Sequence, residues 1–525
     1  MSYVFFNGKI LTMDETNSQV ESVFVKENKI AYCGSKRLNP GFLDPNSIKI
    51  DLKGKLLLPG FVDTHTHFYE LAKRKIMIDL SECNSVSEIE IVLEKFSKQK
   101  HPDLNWIGGS GWDLNIYPDS LKLDKTLLDK YFPEVPVSIE SKDFHSKLCN
   151  SKALEKANIT SETKNPKNGR IGRFASGEPN GFTYEQAWNL IDQVIPPLKK
   201  KLQKKIVKDT ISEMYRFGLI GVHSMENSDK FSLYKELIND GTIFRFYWHF
   251  PSDDLDLMIK KGIHSYKSGD EFLKYCGMKI FMDGSLGSKT AYMFNSYPND
   301  SENYGFSAMN ENELFDLISF AYKHNITTTI HAIGDRCNSL VVNAYHRHYQ
   351  INKTDMPYRI EHLQSIRLED IDKIPPNVYC GLQPVHIKGD VPNIEKIWKN
   401  NSGKVYAFKT LSEKNIKFGF GSDAPVETIN PFEGIYSALE RKYQNNPENE
   451  SWTPEEKLDI YQILKAYTID AAYGSQSHNI RGSIEKNKLA DLIIIDDFTE
   501  AENEKWLDNH SYLTMINGEI VFSEL

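Results

Sequence analysis

Two histidines stand one residue apart in PGFVDTHTHF, Pro59 to Phe68. In a strand, positions i and i+2 project to one face, so His65 and His67 would lie side by side. Phe61, Val62, Thr64 and Thr66 give the segment strand propensity. A single buried histidine is ordinarily satisfied by a neighbour. Two imidazoles on one face make a poor core but a good start on a metal site. The remaining ligands must come from elsewhere in the chain.

They can be sought at the ends of similar segments. Eight strand-like runs end in polar residues and alternate with amphipathic stretches: FVDTHTH (61–67), LIGVHSME (219–226), IFRFYWHF (243–250), MKIFMDGS (278–285), ITTTIHAIGD (326–335), PYRIEHLQ (357–364), NVYCGLQPVH (377–386) and IKFGFGSDAP (416–425). KKLQKKIVKDTISEMYRFG and NENELFDLISFAYKHN read as intervening helices. Eight β/α repeats predict an α/β fold of the TIM-barrel type. In that fold the carboxyl ends of all strands meet at one mouth. Run one carries His65 and His67, run four Lys279, run five His331, run six His362 and run eight Asp423. Each alone has a mundane reading as a satisfied histidine, a snorkelling lysine or a helix-capping aspartate. With only 15 histidines in 525 residues, the convergence of four of them with a lysine and an aspartate favours a metal site.

The barrel is expected over residues 59–479, entered at Pro59-Gly60. YVFFNGKILTMD, ESVFVKENKIAYCGS and SIKIDLKGKLLLPG read as short strands with breaks at Asn7-Gly8, Glu27-Asn28 and Lys53-Gly54. LADLIIIDD and YLTMINGEIVFSEL repeat the style, with Asn517-Gly518 as a type I′ turn. Residues 1–58 and 480–525 are therefore expected to build one small β unit. The gap from 70 to 205 is too long for a loop. It has strands of its own, NWIGGSGWD and VPVSIESKDFH, and reads as an insertion after the first barrel strand that lids the mouth.

Bulk properties exclude several classes. Hydrophobic residues at 40% and charged residues at 26% fit a soluble globular protein. A net charge of −9 with interspersed signs gives no footprint for nucleic acid. No run reaches the ~20 apolar residues of a membrane span, and the amino terminus lacks the pattern of a signal peptide. Six isolated cysteines without a Cys-x-x-Cys pair are expected to be reduced thiols. A cytoplasmic enzyme acting on a small molecule, without nucleic-acid or membrane partners, is the expectation. DGSLGS (283–288) lacks the Gly-Lys-Ser/Thr ending of a phosphate loop and is read as a support beside Lys279.

The ordered series PGFVDTHTHF, IHAIGDR, RIEHLQ and GSDAPVE resembles the strand-end motifs of the metal-dependent amidohydrolase superfamily. KIFMDGSLGSKTA, GLQPVHIKGD and AYTIDAAYGSQ with RGSIEKNKLADLIIID resemble its long-chain amidohydrolase 3, YtcJ-like branch. The similarity runs nearly end to end. It implies a distorted TIM (β/α)8 barrel beside a β-sandwich composed of both termini. It also implies one or two divalent metals, zinc first, with iron, manganese or nickel as other occupants. His65, His67 and Asp423 would hold one metal, and His331 and His362 a second. Lys279 would bridge them as a carboxylated lysine, since an ammonium has no lone pair to offer. A homodimer follows from the same resemblance.

The chemistry implied is hydrolysis of an amide-type C–N bond, such as that of an N-acyl or N-formyl amine. Metal lowers the pKa of water toward ~7, and the hydroxide attacks a polarised carbonyl. Asp423 takes the proton as general base and returns it to the leaving nitrogen. A deaminase, lactonase or phosphotriesterase of the same superfamily, or a non-catalytic scaffold, is the alternative. Weaker candidates for substrate contact are Trp112, Asp143 and His145 on the insertion, His223 on strand two and His386 after strand seven. Each has an equally good structural reading.

Overall fold

The computed structural model describes residues 1–16, 18–34, 46–99, 103–114, 117, 123–142, 145–398 and 401–525. Eight strands form one sheet in chain order: β1 (Phe61–Thr66), β2 (Leu219–Met225), β3 (Arg245–Pro251), β4 (Leu273–Phe281), β5 (Thr328–Ala332), β6 (Tyr358–His362), β7 (Val378–Leu382) and β8 (Lys417–Phe420). Every successive pair is parallel. Nearly all of their residues are buried, as expected of parallel strands covered on both faces.

The seam from β8 back to β1 is sealed at its carboxyl end. Thr66 and Ala424 form a parallel bridge. The Asp423 N–H donates to the His65 carbonyl and the His67 N–H to the Ala424 carbonyl, both at 2.8 Å. The Asp63 carboxylate braces the seam by accepting the Ser422 N–H at 3.0 Å. A Cβ on Gly421 would meet the His65 backbone nitrogen at 2.5 Å, so glycine is what lets the strands approach this closely. The result is a (β/α)8 barrel, as the eight repeats predict. The helices read from the sequence are present as Lys200–Arg216 and Glu311–Lys323, the second opened by a capping box of Asn310 and Glu313.

Strands from both termini join a second eight-stranded sheet. Leu56–Pro59 pairs with both Ser2–Leu11 and Leu492–Ile495, which ties amino-terminal to carboxyl-terminal chain. Phe5, Val23, Val25, Leu57, Leu492, Ile494, Leu513 and Met515 share its core. Asn517 and Gly518, at φ 54° and 76°, make the two-residue turn between Leu513–Ile516 and Glu519–Ser523. The expected break at Asn7-Gly8 is instead a bulge inside one continuous strand, Ser2–Leu11. Backbone pairing continues past it: Leu52 N–H donates to the Phe6 carbonyl and Lys9 N–H to the Lys55 carbonyl. Asn7, at φ 63°, lies within the irregular stretch between Phe6 and Ile10.

The chain divides into two compact units, Met1–Tyr69 with Thr210–Leu525, and Glu70–Asp209. The second unit has its own six-stranded sheet. Ile107–Trp112 and Val137–Ser141, the two segments read as strands from the sequence, pair in parallel within it. Its core includes Trp106, Cys149, Leu154, Ile171 and Ile191. Among the described residues no helix is long and apolar enough to cross a membrane.

Candidate metal centre

The barrel brings its strand-end side chains together. His65 Nε2 and His67 Nε2 lie 3.4 and 3.3 Å from Asp423 Oδ1. His65 Nε2 is also 3.4 Å from Lys279 Nζ. The His65 and His362 rings are 4.9 Å apart, and His362 and His331 4.5 Å. Donor atoms of His65, His362 and Asp423 all lie within 4.8 Å of one another. Three backbone positions are strained to achieve this: His362, Leu363 and Asp423 sit at φ 70°, 43° and 58°. Such left-handed residues each cost about 1–3 kcal/mol and cluster at functional sites.

A neutral imidazole ligates through the nitrogen that lacks the proton, and the partner of the other nitrogen fixes which one that is. His65 Nδ1 is held by the buried Glu361 carboxylate. His67 Nδ1 faces the Met225 carbonyl at 3.1 Å and His362 Nδ1 the Gln383 amide oxygen at 2.9 Å. Each partner is an acceptor, so Nδ1 carries the proton and Nε2 keeps a lone pair. His331 is reversed: its Nε2 faces the Gly284 carbonyl at 3.2 Å, which leaves Nδ1 unprotonated. Fixing the tautomer through a carboxylate or carbonyl partner is the usual support of a metal-binding histidine.

Burial keeps these rings neutral. It drives His65 down to about 4 and His331 to about 3, with the Lys279 ammonium adding to both effects. His362 falls in the same direction, by burial and then by His331. Lys279 is 3% exposed and has no carboxylate within ion-pair distance among the described residues. Burial lowers it to about 8, which raises the fraction of neutral amine, the form that carbon dioxide can carboxylate.

The donor set fits a divalent cation. Donors around a tetrahedral zinc at bonds of ~2.0–2.1 Å stand about 3.3 Å apart. The separations of 3.3 and 3.4 Å from Asp423 Oδ1 match that spacing. Yet Asp423 Oδ1 is buried and makes no hydrogen bond, so those nitrogens do not point at it as donors. A buried anionic oxygen flanked by lone pairs requires a positive charge between them.

The weaker candidates separate. His386 Nε2 lies 4.0 Å from Asp423 Oδ2, buried and without a hydrogen bond, which places it at the mouth. His223 does not reach the mouth. It is fully buried inside the barrel, where its Nδ1 meets His249 Nε2 and Arg359 Nη1, each at 3.0 Å. The substrate role expected of it is withdrawn, because it faces other side chains. Trp112 is 2% exposed, donates Nε1–H to the Ile139 carbonyl and packs on Phe182; it is core within its own unit rather than a pocket wall. His145 is exposed beside Glu185, 3.1 Å away in the same unit. Asp143 lies outside the described residues.

Several working residues escaped the reading of the sequence. Glu361 is wholly buried, with one oxygen on His65 and the other on Arg359. Burial opposes its charge, but Arg359 first and then His65 hold its pKa well below the usual range. A Cβ on Gly381 would meet Glu361 Oε2 at 2.2 Å, so β7 is glycine there to admit this carboxylate. Asp283 accepts the N–H groups of Ile333, Gly334 and Tyr292 at 2.8–3.0 Å and so fixes the loop that carries Gly284. The available signal was the i, i+2 spacing of Arg359 and Glu361, which projects a guanidinium and a carboxylate from one face of the strand.

Comparison with known proteins agrees with this architecture. The YtcJ protein of Bacillus subtilis (strain 168) is 29% identical over 535 residues, covering 100% of both chains. An Arthrobacter pascens relative named N-substituted formamide deformylase is 24% identical, covering 94% of this chain and 93% of its own. A solved structure described as an uncharacterized metal-dependent hydrolase from Pyrococcus horikoshii OT3 superposes with a TM-score of 0.80 at 25% identity, covering 96% of this chain and 99% of that one. The family model described as "Amidohydrolase family" matches residues 49–522, and the chain belongs to the amidohydrolase family.

Proposed function

We propose that this protein is a metal-dependent hydrolase of amide-type C–N bonds, with N-formyl and N-acyl amines as its substrates. The observation that carries the reading is the set of tautomers at the mouth. Four imidazoles each have one nitrogen engaged by an acceptor, and the other nitrogens of His65, His67 and His362 lie close to a carboxylate that makes no hydrogen bond on Oδ1. The name of the Arthrobacter pascens relative supports formamides as the first substrates to try.

His65, His67 and Asp423 would hold one divalent cation, zinc in the first instance. His331 and His362 would hold a second if Lys279 is carboxylated. Such a cation supplies Lewis acidity, polarising a carbonyl and lowering the pKa of water. The chain's own contribution is positioning and proton traffic. Glu361, Met225, Gln383 and Gly284 keep the four rings in their tautomers. Asp423, with Oδ1 toward the histidines and Oδ2 toward His386, takes the proton of the attacking water. It then returns that proton to the leaving nitrogen. The six cysteines are unpaired, which supports a reducing, cytoplasmic setting. A homodimer is carried over from the family resemblance.

The test is turnover by metal-loaded protein of N-formyl and N-acyl amines beside lactones, phosphotriesters and aminated heterocycles. Release of amine from the first group, lost on chelation and restored by zinc, is the expected result. Turnover confined to another group would overturn the substrate class.

A further inference from the structure

One feature of the mouth is unlike the rest. Phe281 ends β4 two residues beyond Lys279 and so projects from the same strand face. Its ring centre lies 4.9 Å from Lys279 Nζ and 5.3 Å from the His331 ring. Yet Phe281 is 55% exposed, while Met278, Ile280 and Met282 around it are buried. On the loop after β8, Val426 is 66% exposed and its N–H donates to the Asp423 carbonyl at 2.9 Å. Strands four and eight stand opposite one another in a ring of eight. An exposed apolar side chain therefore stands on each side of the polar cluster.

Single exposed hydrophobic residues are ordinary on a protein surface. A phenyl ring beside a ligand imidazole and open to solvent is different, because a molecule bound at the cluster can lie against it. The open ring is a stacking platform for another planar apolar group. A charged or heavily hydroxylated group set there would lose water and gain no hydrogen bond from Phe281 or Val426.

Resting on the hydrolase reading above, we propose that Phe281 and Val426 flank an apolar subsite. The substrate is an amide whose scissile C–N bond carries an aryl or aralkyl substituent. The substituent stacks on Phe281, and Val426 limits it on the far side. Stacking together with the buried ring area makes an aryl amide favoured over its methyl analogue by about ten-fold or more.

The experiment compares N-benzylacetamide and N-phenylacetamide with N-methylacetamide on the metal-loaded full chain, by calorimetric binding and by turnover. It uses the wild type, Phe281→Ala and Phe281→Tyr, with metal content of each variant as the check on folding. The aryl-to-methyl ratio of affinities should fall about ten-fold in Phe281→Ala and recover in Phe281→Tyr. A ratio unmoved by Phe281→Ala, or no aryl preference in the wild type, overturns the subsite whatever the turnover. An aryl preference that depends on Phe281 without turnover of any amide keeps the subsite and overturns the hydrolase reading.

Discussion

The barrel contains two clusters built from the same kinds of residue. One is at the mouth, with His65, His362 and Asp423 at its centre. The other is deeper, where donor atoms of His223, His249 and Cys276 also lie within 4.8 Å of one another. Both are buried. In the deep cluster His223 Nδ1 faces His249 and the Arg359 guanidinium, which can only donate, so the proton sits on His223 Nε2, a buried atom without a hydrogen bond; His249 Nδ1 meets Thr329 Oγ1 at 2.8 Å. The nearby charge is the Arg359 guanidinium, and burial pushes the Cys276 thiol up to about 12. At the mouth Nδ1 of His65, His67 and His362 faces an acceptor, so Nε2 keeps its lone pair, and the Asp423 carboxylate stands beside it. Closeness of ligand-type residues therefore does not define a metal site. Which ring nitrogen the hydrogen-bond partners leave unprotonated does.

The contrast can be broken most sharply at Asp423. Asp423→Asn keeps the shape of the mouth cluster but removes its anion and its proton acceptor. It should lower kcat by about 10³-fold in steady-state assays, with circular dichroism unchanged. Next in size is the carboxylate behind His65. Glu361→Gln should weaken metal affinity about 10–100-fold in competition titrations with a chelator, because the His65 tautomer is no longer fixed. Retention of full affinity would show that the second nitrogen does not matter, and the distinction between the clusters would fall.

A pH measurement sharpens the comparison further. His331 is lowered to about 3 by burial and then by Lys279, against about 6.5 in an unfolded chain. A group whose folded pKa is depressed contributes stability that is present above pH 6.5 and is lost as pH falls toward 3. Between pH 7 and pH 5, metal-free wild type should lose about 2 kcal/mol more unfolding free energy than His331→Gln. Denaturant titrations at the two pH values measure it. The smallest effect is expected in the deep cluster. Cys276→Ala should cost about 1 kcal/mol of stability and leave metal content unchanged.

Much of this was legible before the fold was seen, for identifiable reasons. His65 and His67 follow from strand parity. His331, His362, Lys279 and Asp423 follow from the rule that a barrel gathers its strand ends at one mouth. What parity cannot give is depth. His223 and His65 both read as strand histidines, but β2 continues two residues past His223, to Met225, and that histidine is sunk among side chains. Nor does a local pattern show partners brought from other strands, which is why Glu361, Gln383 and the Gly284 carbonyl were not foreseen. Trp112 lay in a Gly-rich run that looks open but is core. At Asn7-Gly8 a turn signal was overridden by backbone pairing with Leu52 and Lys55. The long-range partners of a residue decide its role there, and a single sequence does not display them.

The central claim is that the mouth cluster, and not the deep one, binds metal. Its most direct test is divalent metal per chain, by mass spectrometry on protein purified without chelator, in wild type, Asp423→Ala, Lys279→Ala and Cys276→Ala. The account predicts one or two equivalents in wild type and in Cys276→Ala, with loss in Asp423→Ala. A drop from two to one in Lys279→Ala would identify that lysine as the bridge. Metal lost in Cys276→Ala but kept in Asp423→Ala, or none in wild type after supplementation with zinc and bicarbonate, would contradict it.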